Sequence, residues 1–329
     1  QISQYDLPLC EHGHLDIETA AGPKRIGITR IHIEEDAGKL VHGKDGTGCD
    51  YNRCGVPLIE IVSEPDIRSA EEARAYVRKL RAVLLYTGVS DCRMQEGSLR
   101  CDVNLSVRRK GDQRLGVRTE MKNLNSFQFI VRAIEYEFAR QVEALEAGEP
   151  VVQETRRFDQ DTGKTYTMRT KEDADDYRYF PDPDLPPIVL EEEELARLRD
   201  SIPALPDERK ARYIKDYGLS ARDAEQLVTE RAVADYFEEA AGRTAYPKHV
   251  VSLLTTEIFR LLSLSPAEET AIPVSPAHLA KLADLLGSGR INSGTGKRLL
   301  GQMWERDADP EQLAGEQNLW QISDPAVLL

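Results

Sequence analysis

The stretch that decides the fold spans residues 94–127 and reads MQEGSLRCDVNLSVRRKGDQRLGVRTEMKNLNSF. Apolar and polar residues alternate from Leu99 to Val107, and they alternate again from Leu115 to Met121. A period of two is typical of a strand that buries one face. The turn-like Lys110-Gly111-Asp112 segment lies between the two runs, so the sequence predicts an antiparallel hairpin.

The predicted hairpin gathers charged side chains on one face. A slip of one residue would turn one strand's apolar set outward, so the pairing must keep both apolar sets together. Asp102 and Asn104 therefore share a surface with Glu120 and Lys122. Carboxylates, an amide and a lysine on one surface can hold a metal-bound phosphate. The alternation by itself fits a solvated sheet face equally well.

The composition indicates a globular protein with two domains. The chain has 329 residues, of which 40% are apolar and 30% charged, and it has no apolar run of transmembrane length. A net charge of −14 disfavours general nucleic-acid binding, although a local cluster of cations can still contact RNA phosphate. Five cysteines without a C-x-x-C pair indicate reduced thiols, as in a cytoplasmic protein.

Residues 1–190 predict an α+β domain built on an antiparallel sheet. A capping box at 69–72 begins one helix, and Gly88 ends it. A second helix is expected from Ser126 to Ala147, and a turn at 159–163 joins strands at 154–158 and 164–169. The buried stripe expected for the second helix consists of Ile130, Ile134, Phe138, Val142 and Leu145.

A cluster of prolines between 181 and 187 ends this domain. Helix-forming residues dominate residues 191–329, so the sequence predicts a second, all-α domain. Gly294-Thr295-Gly296-Lys297 does not qualify as a P-loop, because Ile291 and Arg298 replace its first glycine and its Ser/Thr.

Several longer motifs, read in order, resemble one protein family. They are RIGITRIHIEEDAGK at 25–39, GVPLIEIVSEPD at 55–66, EGSLRCDVN at 96–104, KNLNSF at 122–127, QETRRFD at 153–159 and DDYRYFPDPDLPP at 175–187. The set resembles the GatB family, the B subunits of the glutamyl-tRNA(Gln)/aspartyl-tRNA(Asn) amidotransferases. The resemblance covers almost the whole chain.

This resemblance implies a cradle domain similar to the catalytic fold of glutamine synthetase. It implies that the protein uses ATP and Mg²⁺ to amidate misacylated Glu-tRNA(Gln) or Asp-tRNA(Asn) through an acyl phosphate. Because the chain opens at Gln1 inside a family motif, we expect a fragment. The family would then supply a further active-site strand and a zinc site before it, and a tail domain after it.

The resemblance also suggests catalytic and ligand-binding side chains. The resemblance implies that Glu35 is the magnesium-binding acid, and Glu34 is not expected to share this role, because adjacent strand residues face opposite ways. The expected metal ligands are Glu35, Glu96, Asp102 and Glu120; the expected phosphate or nucleotide contacts are Asn104, Lys122, Asn125 and Arg178; and Glu35, Glu120, Lys122 and Arg178 are the expected catalytic set.

Some of these positions have structural alternatives. Glu60 and Glu64 lie among apolar residues, so each is either part of the site or half of a structural ion pair. Arg178 could instead bridge to Asp175 or Asp182.

The resemblance implies three partners: a GatA-like amidase subunit that supplies ammonia, a small GatC-like subunit, and the misacylated tRNA. No membrane association is expected, and the location is the cytoplasm of a bacterial-type cell or an organelle matrix. Arg290, Lys297 and Arg298 are the expected tRNA contacts of the helical domain. Alternatively, these cations only stabilise helix termini.

Two other functions remain open at the level of sequence. The chain could be a non-catalytic scaffold that docks tRNA, or a carboxylate–amine ligase for a small molecule. Clustered acids beside Lys122 count against a scaffold, and the long helical region after Pro187 counts against a small substrate.

Overall fold

The computed structural model describes residues 7–170, 184, 186–264 and 271–321, without the side chains of 169 and 170. It divides into two compact units. The first comprises Gln1–Leu84 and Gly88–Asp200, and the second comprises Leu85–Thr87 and Ser201–Leu329.

The first unit is mixed α and β, with mostly antiparallel strands. Its strands are β1 (Cys10–Thr19), β2 (Gly22–Glu35), β3 (Lys39–Gly43), β4 (Gly46–Asp50), β5 (Pro57–Ser63), β6 (Val103–Leu105), β7 (Thr119–Lys122), β8 (Glu154–Asp159) and β9 (Lys164–Thr170). They form a sheet of order β1-β2-β5, a β3-β4 hairpin and a sheet of order β6-β7-β8-β9. The helices of this part are α1 (Ala70–Thr87) and α2 (Phe127–Glu146), and α3 (Glu192–Ser201) follows.

The sheet β6-β7-β8-β9 departs from the antiparallel prediction at one pair of strands. β7 and β8 run parallel, with Glu120 opposite Thr155. The reason is the connection: α2 carries the chain from the end of β7 back to the start of β8, as in a βαβ unit. The turn predicted at 159–163 and both strands that it joins are confirmed.

The predicted hairpin of residues 99–121 is confirmed in register but not in length. Asn104 lies opposite Glu120, as the apolar phase requires. The paired strands cover only Val103–Leu105 and Thr119–Lys122, and residues 106–118 form the loop between them. Leu115 and Val117 are each 48% exposed, so the prediction that the apolar phase is buried there was wrong.

Both predicted helices of the first unit are present. The Ser69 hydroxyl accepts the Glu72 N–H at the start of α1, and the Ser126 hydroxyl accepts the Phe129 N–H at the start of α2. The buried stripe predicted for α2 is confirmed at Ile130 and in part at Ile134, which packs against the core, but it was wrong at Phe138 and Leu145. Phe138 is 54% exposed, and the buried positions of α2 are Ile130, Ala133, Glu137 and Gln141.

One apolar core serves both larger sheets of the first unit. It contains Ile17 and Ile26 of the first sheet and Met121 and Phe158 of the second. The buried residues of α1 belong to the same cluster. The strands that carry the acidic and basic side chains are therefore fixed to a common core.

The second unit is helical, as predicted. It contains α4 (Pro206–Tyr217), α5 (Ala221–Leu227), α6 (Arg231–Ala241), α7 (Pro247–Ser252), a π-helical segment (Leu253–Ile258), α8 (Phe259–Leu264), α9 (Pro276–Gly287), α10 (Ser293–Glu305) and α11 (Pro310–Glu316). Residues 294–297 lie in the first turns of α10, whose N-cap is Asn292. Among the described residues, no helix combines the length and apolarity needed to cross a membrane.

Candidate active site

A single open cleft in the first unit collects the predicted site residues. It is lined by all of them that the structure describes in this unit: Glu35, Glu60, Glu64, Glu96, Asp102, Asn104, Glu120, Lys122 and Asn125. The cleft is wide, so two residues that both line it need not contact each other. The contacts below separate the residues that act together from those that do not.

Lys122 is held between two carboxylates. Its Nζ lies 2.5 Å from Oδ2 of Asp102 and 3.4 Å from Oε1 of Glu120. Burial disfavours the charge on Lys122, but the bond to Asp102 and the attraction of both carboxylates outweigh it and raise the lysine's pKa. Lys122 is therefore a fixed cation on the face that the hairpin register predicted.

Thr155 fixes the other oxygen of Glu120. The Thr155 hydroxyl donates a 2.9 Å hydrogen bond to Oε2 of Glu120 across the parallel β7–β8 pair. Thr155 is buried, and the Glu120 side chain is 15% exposed. Sequence reasoning missed Thr155, because only the pairing of β7 with β8 brings it to Glu120.

A buried polar network lies under the same strands. The carboxylate of Glu137 on α2 accepts hydrogen bonds from Thr119, Arg140 and Thr165, and Nε of Arg156 lies 3.3 Å from it. Burial alone would raise the pKa of Glu137, but the bonds it accepts, led by that of Arg140, lower it. The network joins α2 to β7, β8 and β9. Glu137 and Arg156 were not singled out from the sequence.

The KNLNSF motif works as a strand-to-helix turn. Asn123 has a left-handed backbone (φ 69°), and its side-chain amide donates to the carbonyl of Phe158. Asn125 donates to Oδ1 of Asn123, and Ser126 caps α2. Asn125 thus supports the turn directly after Lys122, and its predicted nucleotide contact stays a prediction.

Three side chains of the sheet β1-β2-β5 form a group with metal-ligand character. His32 is buried, and its Nε2 lies 3.2 Å from Oε1 of Glu34 and 3.2 Å from Oε2 of Glu60. The three ligand atoms lie within 4.8 Å of one another. Arg30 Nε donates to Nδ1 of His32 at 3.3 Å, so Nδ1 acts as an acceptor and Nε2 is the ring nitrogen that faces the two carboxylates. Glu34 and Glu60 are thus the two that can hold a cation.

This group bears on the roles expected for Glu34 and Glu35 and shows a contact of His32. Glu34 and Glu35 do face opposite ways, as expected, but the cluster contains Glu34. His32 received no role from the sequence, because its partner Glu60 is distant along the chain and meets it only through the β2–β5 register. Glu35 lines the cleft and stays a prediction.

Two arginines share the carboxylate of Asp36. Arg100 Nη2 lies 2.6 Å and Arg53 Nη2 lies 2.8 Å from Oδ2 of Asp36. Partial burial would raise the pKa of Asp36, but the bonds from Arg100 and Arg53 lower it. Two cations thus accompany one anion on the wall of the cleft.

The remaining candidates lie in other contacts. Glu96 pairs with Arg93 at 3.0 Å, and Glu64 accepts a 2.9 Å bond from Thr29. The site roles of Glu96 and Glu64 stay predictions. Arg178, with Asp175 and Asp182, lies outside the described residues.

The cations predicted to contact tRNA are already engaged. Lys297 lies 2.7 Å from Glu257, Arg290 lies 2.6 Å from Glu311, and Arg298 donates to Gln317. Lys297 and Arg298 lie in the first half of α10, where the helix dipole does not favour cations, so these contacts do not bear out the helix-end alternative, and tRNA binding by the three stays a prediction.

The comparisons with known proteins agree with one another. Residues 1–196 match the model of the GatB/GatE catalytic domain, and residues 235–329 match that of the GatB domain. Proteins named as the B subunits of aspartyl/glutamyl-tRNA(Asn/Gln) amidotransferases are similar over the chain. That of Caldicellulosiruptor saccharolyticus is 55% identical, covering 100% of this chain and 70% of its own length. That of Carboxydothermus hydrogenoformans is 51% identical (98% and 68%), and that of Geobacter sulfurreducens is 49% identical (100% and 70%). The chain therefore belongs to the GatB family.

Proposed function

We propose that this chain is the subunit of a tRNA-dependent amidotransferase that activates and amidates the side-chain carboxylate of misacylated Glu-tRNA(Gln) or Asp-tRNA(Asn). One observation carries the proposal: Lys122 is fixed between Asp102 and Glu120, in the cleft of the part that matches the catalytic-domain model. A fixed cation among acids suits phosphoryl chemistry, which depends mainly on positioning and charge.

The reaction needs two steps, because a carboxylate is a poor electrophile. A carboxylate oxygen of the aminoacyl group attacks the γ-phosphorus of ATP, ADP leaves, and an acyl phosphate forms. Ammonia then attacks the acyl carbon, phosphate leaves with the bonding electrons, and the nitrogen loses a proton to give the amide. In both steps the anionic phosphoryl group needs a cation, and Lys122 supplies one whose direction Asp102 fixes.

The acidic residues of the cleft fit Mg²⁺, because carboxylate oxygens are its preferred ligands. The Glu34–Glu60 pair would hold an ion, and Glu35 and Glu120 are kept as ligands from the sequence prediction. Mg²⁺ would neutralise phosphate charge when bound. Thr155 and Lys122 orient the Glu120 carboxylate in its place.

The remaining features of the proposal follow from family membership. They are a first unit with a fold like glutamine synthetase, assembly with a GatA-like amidase subunit and a small GatC-like subunit, and a cytoplasmic location. The five free cysteines are consistent with a reducing compartment. The predicted domain boundary at 190–191 also stays a proposal.

Acceptor-dependent ATP turnover tests the proposal. The assembled enzyme is given ATP, Mg²⁺ and ammonium chloride with Glu-tRNA(Gln), Asp-tRNA(Asn), the matched uncharged tRNAs, or free glutamate and aspartate. The proposal predicts that only misacylated tRNA stimulates ADP release, with one amide formed for each ADP. Equal stimulation by free amino acids would identify a small-molecule ligase instead.

A further inference from the structure

The loop between β6 and β7 is strongly cationic and exposed at every residue from Arg108 to Arg118. This cationic loop, residues 106–118, carries five basic side chains and a single acid, Asp112, in a chain with 57 acidic and 43 basic residues. The five are Arg108, Arg109, Lys110, Arg114 and Arg118, and all are exposed. A local excess of positive charge in an acidic protein calls for an anionic partner.

These cations are not neutralised within the described part of the chain. Arg108 donates to the carbonyl of Gln113 at 2.8 Å, and none of the five forms an ion pair with a described residue. By contrast, three basic residues in or between α9 and α10 are paired with acids. Arg290 and Lys297 each bind a carboxylate, and so does Lys281, through Asp309. The cationic loop therefore holds charge that is available to a ligand.

The cationic loop begins and ends beside the candidate site. Arg118 directly precedes β7 and lies two residues before Glu120, and both residues line the cleft. Arg108, Arg109, Lys110 and Arg118 line the same cleft as Glu120 and Lys122. A polyanion along this loop would thus lead directly to the reacting groups.

The backbone gives the loop a defined shape. A side chain at Gly116 would meet the carbonyl oxygen of Val107, so the two arms of the loop lie against each other. Asp112 N–H bonds to the Arg109 carbonyl at 3.1 Å, and Gly111 takes a positive φ of 100°. The cations are therefore grouped at the tip and along the two arms rather than spread along an extended chain.

We propose that the cationic loop binds the phosphate backbone of the RNA substrate next to its aminoacyl end. The identity of the RNA as tRNA rests on the proposed function, whereas the phosphate contact rests on the charge and position of the loop. This assigns RNA binding to the catalytic unit rather than to the paired cations of α9 and α10.

The experiment compares two triple variants of the assembled enzyme. R109Q/K110Q/R114Q neutralises the cationic loop, and K215Q/R222Q/R243Q, at three exposed cations of the helical unit, is the matched control. The dissociation constant of uncharged tRNA is measured against salt concentration for both. Each lost phosphate contact reduces the slope of log K against log salt by about 0.7–0.9. We expect the loop variant to lose about 2–3 from the slope and to bind at least tenfold more weakly at about 0.1 M salt. The control should keep the wild-type slope.

A charge-conserving variant guards against misfolding. R109K/R114K should keep the wild-type slope, because phosphate attraction depends mainly on charge. If this variant loses tRNA binding, the shape of the loop matters rather than its charge, and the proposal is overturned. The proposal is also overturned if the loop triple variant keeps its tRNA slope. Release of a partner subunit with an unchanged slope would identify a protein contact instead. These readouts need no turnover, so an enzyme that binds tRNA through the loop but amidates none would refute only the proposed function.

Discussion

The Thr155 hydroxyl donates a 2.9 Å hydrogen bond to Oε2 of Glu120, and the two residues lie opposite each other on the parallel strands β7 and β8. Because Lys122 lies near the other oxygen at 3.4 Å, both carboxylate oxygens of Glu120 have defined neighbours. The orientation of this acid is thus set by two different strands, before any substrate binds.

Replacing Thr155 with Val should remove this orientation without creating a cavity. A hydrogen bond to a charged group contributes about 1.5–3 kcal/mol, so we expect kcat to fall tenfold or more and the Mg²⁺ concentration for half-maximal activity to rise. Steady-state amidation at varied Mg²⁺ measures both. T155S should restore them, and T167V, which loses a hydroxyl contact to Arg156 on the next strand, should leave the Mg²⁺ dependence unchanged. An unchanged Mg²⁺ dependence in T155V would show that Thr155 only supports the sheet.

The Glu34–Glu60 pair can be tested against Glu96 as a cation site. E34Q and E60Q should each raise the Mg²⁺ requirement about tenfold or more, since each removes a charged oxygen ligand. E96Q is the comparison, because Glu96 is exposed and paired with Arg93. The measurement is amidation during Mg²⁺ titration after removal of metal with a chelator. If E96Q alone raises the Mg²⁺ requirement, Glu96 is the metal ligand, as predicted from the sequence, and the Glu34–Glu60 pair is not.

The buried Glu137 should dominate the stability of the first unit. Replacing it with Ala leaves Glu154 as the one buried carboxylate that pairs with Arg140 and Arg156 among the described residues, and breaking a buried pair costs about 3–5 kcal/mol. Urea unfolding of E137A should show this loss. E135Q, on the exposed side of the same helix, should change stability by less than about 0.5 kcal/mol. Equal midpoints for E137A and wild type would contradict the network.

The same residue predicts a pH dependence. The folded-state pKa of Glu137 is lowered from its usual 4.5, so its contribution is present above about pH 4.5 and is lost as pH falls through the lower folded value. E137Q carries no such group and should show a flatter decline in melting temperature as the pH falls below about 4.5. An acid limb as steep as that of wild type would assign the pH dependence to other carboxylates.

Sequence patterns predicted the parts of the fold that depend on local signals. Ser69, Ser126 and Gly88 marked helix ends correctly because capping and positive φ are local properties. The register of Asn104 against Glu120 was predictable because the apolar phase of both strands must match.

The remaining features depend on contacts between distant segments. The stripe predicted for α2 included Phe138 and Leu145, which are exposed. The helix buries Glu137 and Gln141 instead, because Arg156 and Thr119 from two other strands satisfy them. Thr155 and His32 were likewise invisible, since their partners arrive through strand pairing. The cations of the 106–118 loop were read as part of a strand pattern, and only their exposure sets them apart.

The most direct test of the central claim is amidation of misacylated tRNA by the assembled enzyme carrying E120Q. Glutamine hydrolysis and ammonia-dependent amidation are measured side by side, with E149Q, an exposed acid beyond α2, as the matched control. The account predicts that E120Q loses tRNA-dependent ADP release and amide formation by at least a hundredfold, while glutaminase activity remains and E149Q behaves as wild type. Wild-type amidation by E120Q would contradict the assignment of the chemistry to this site.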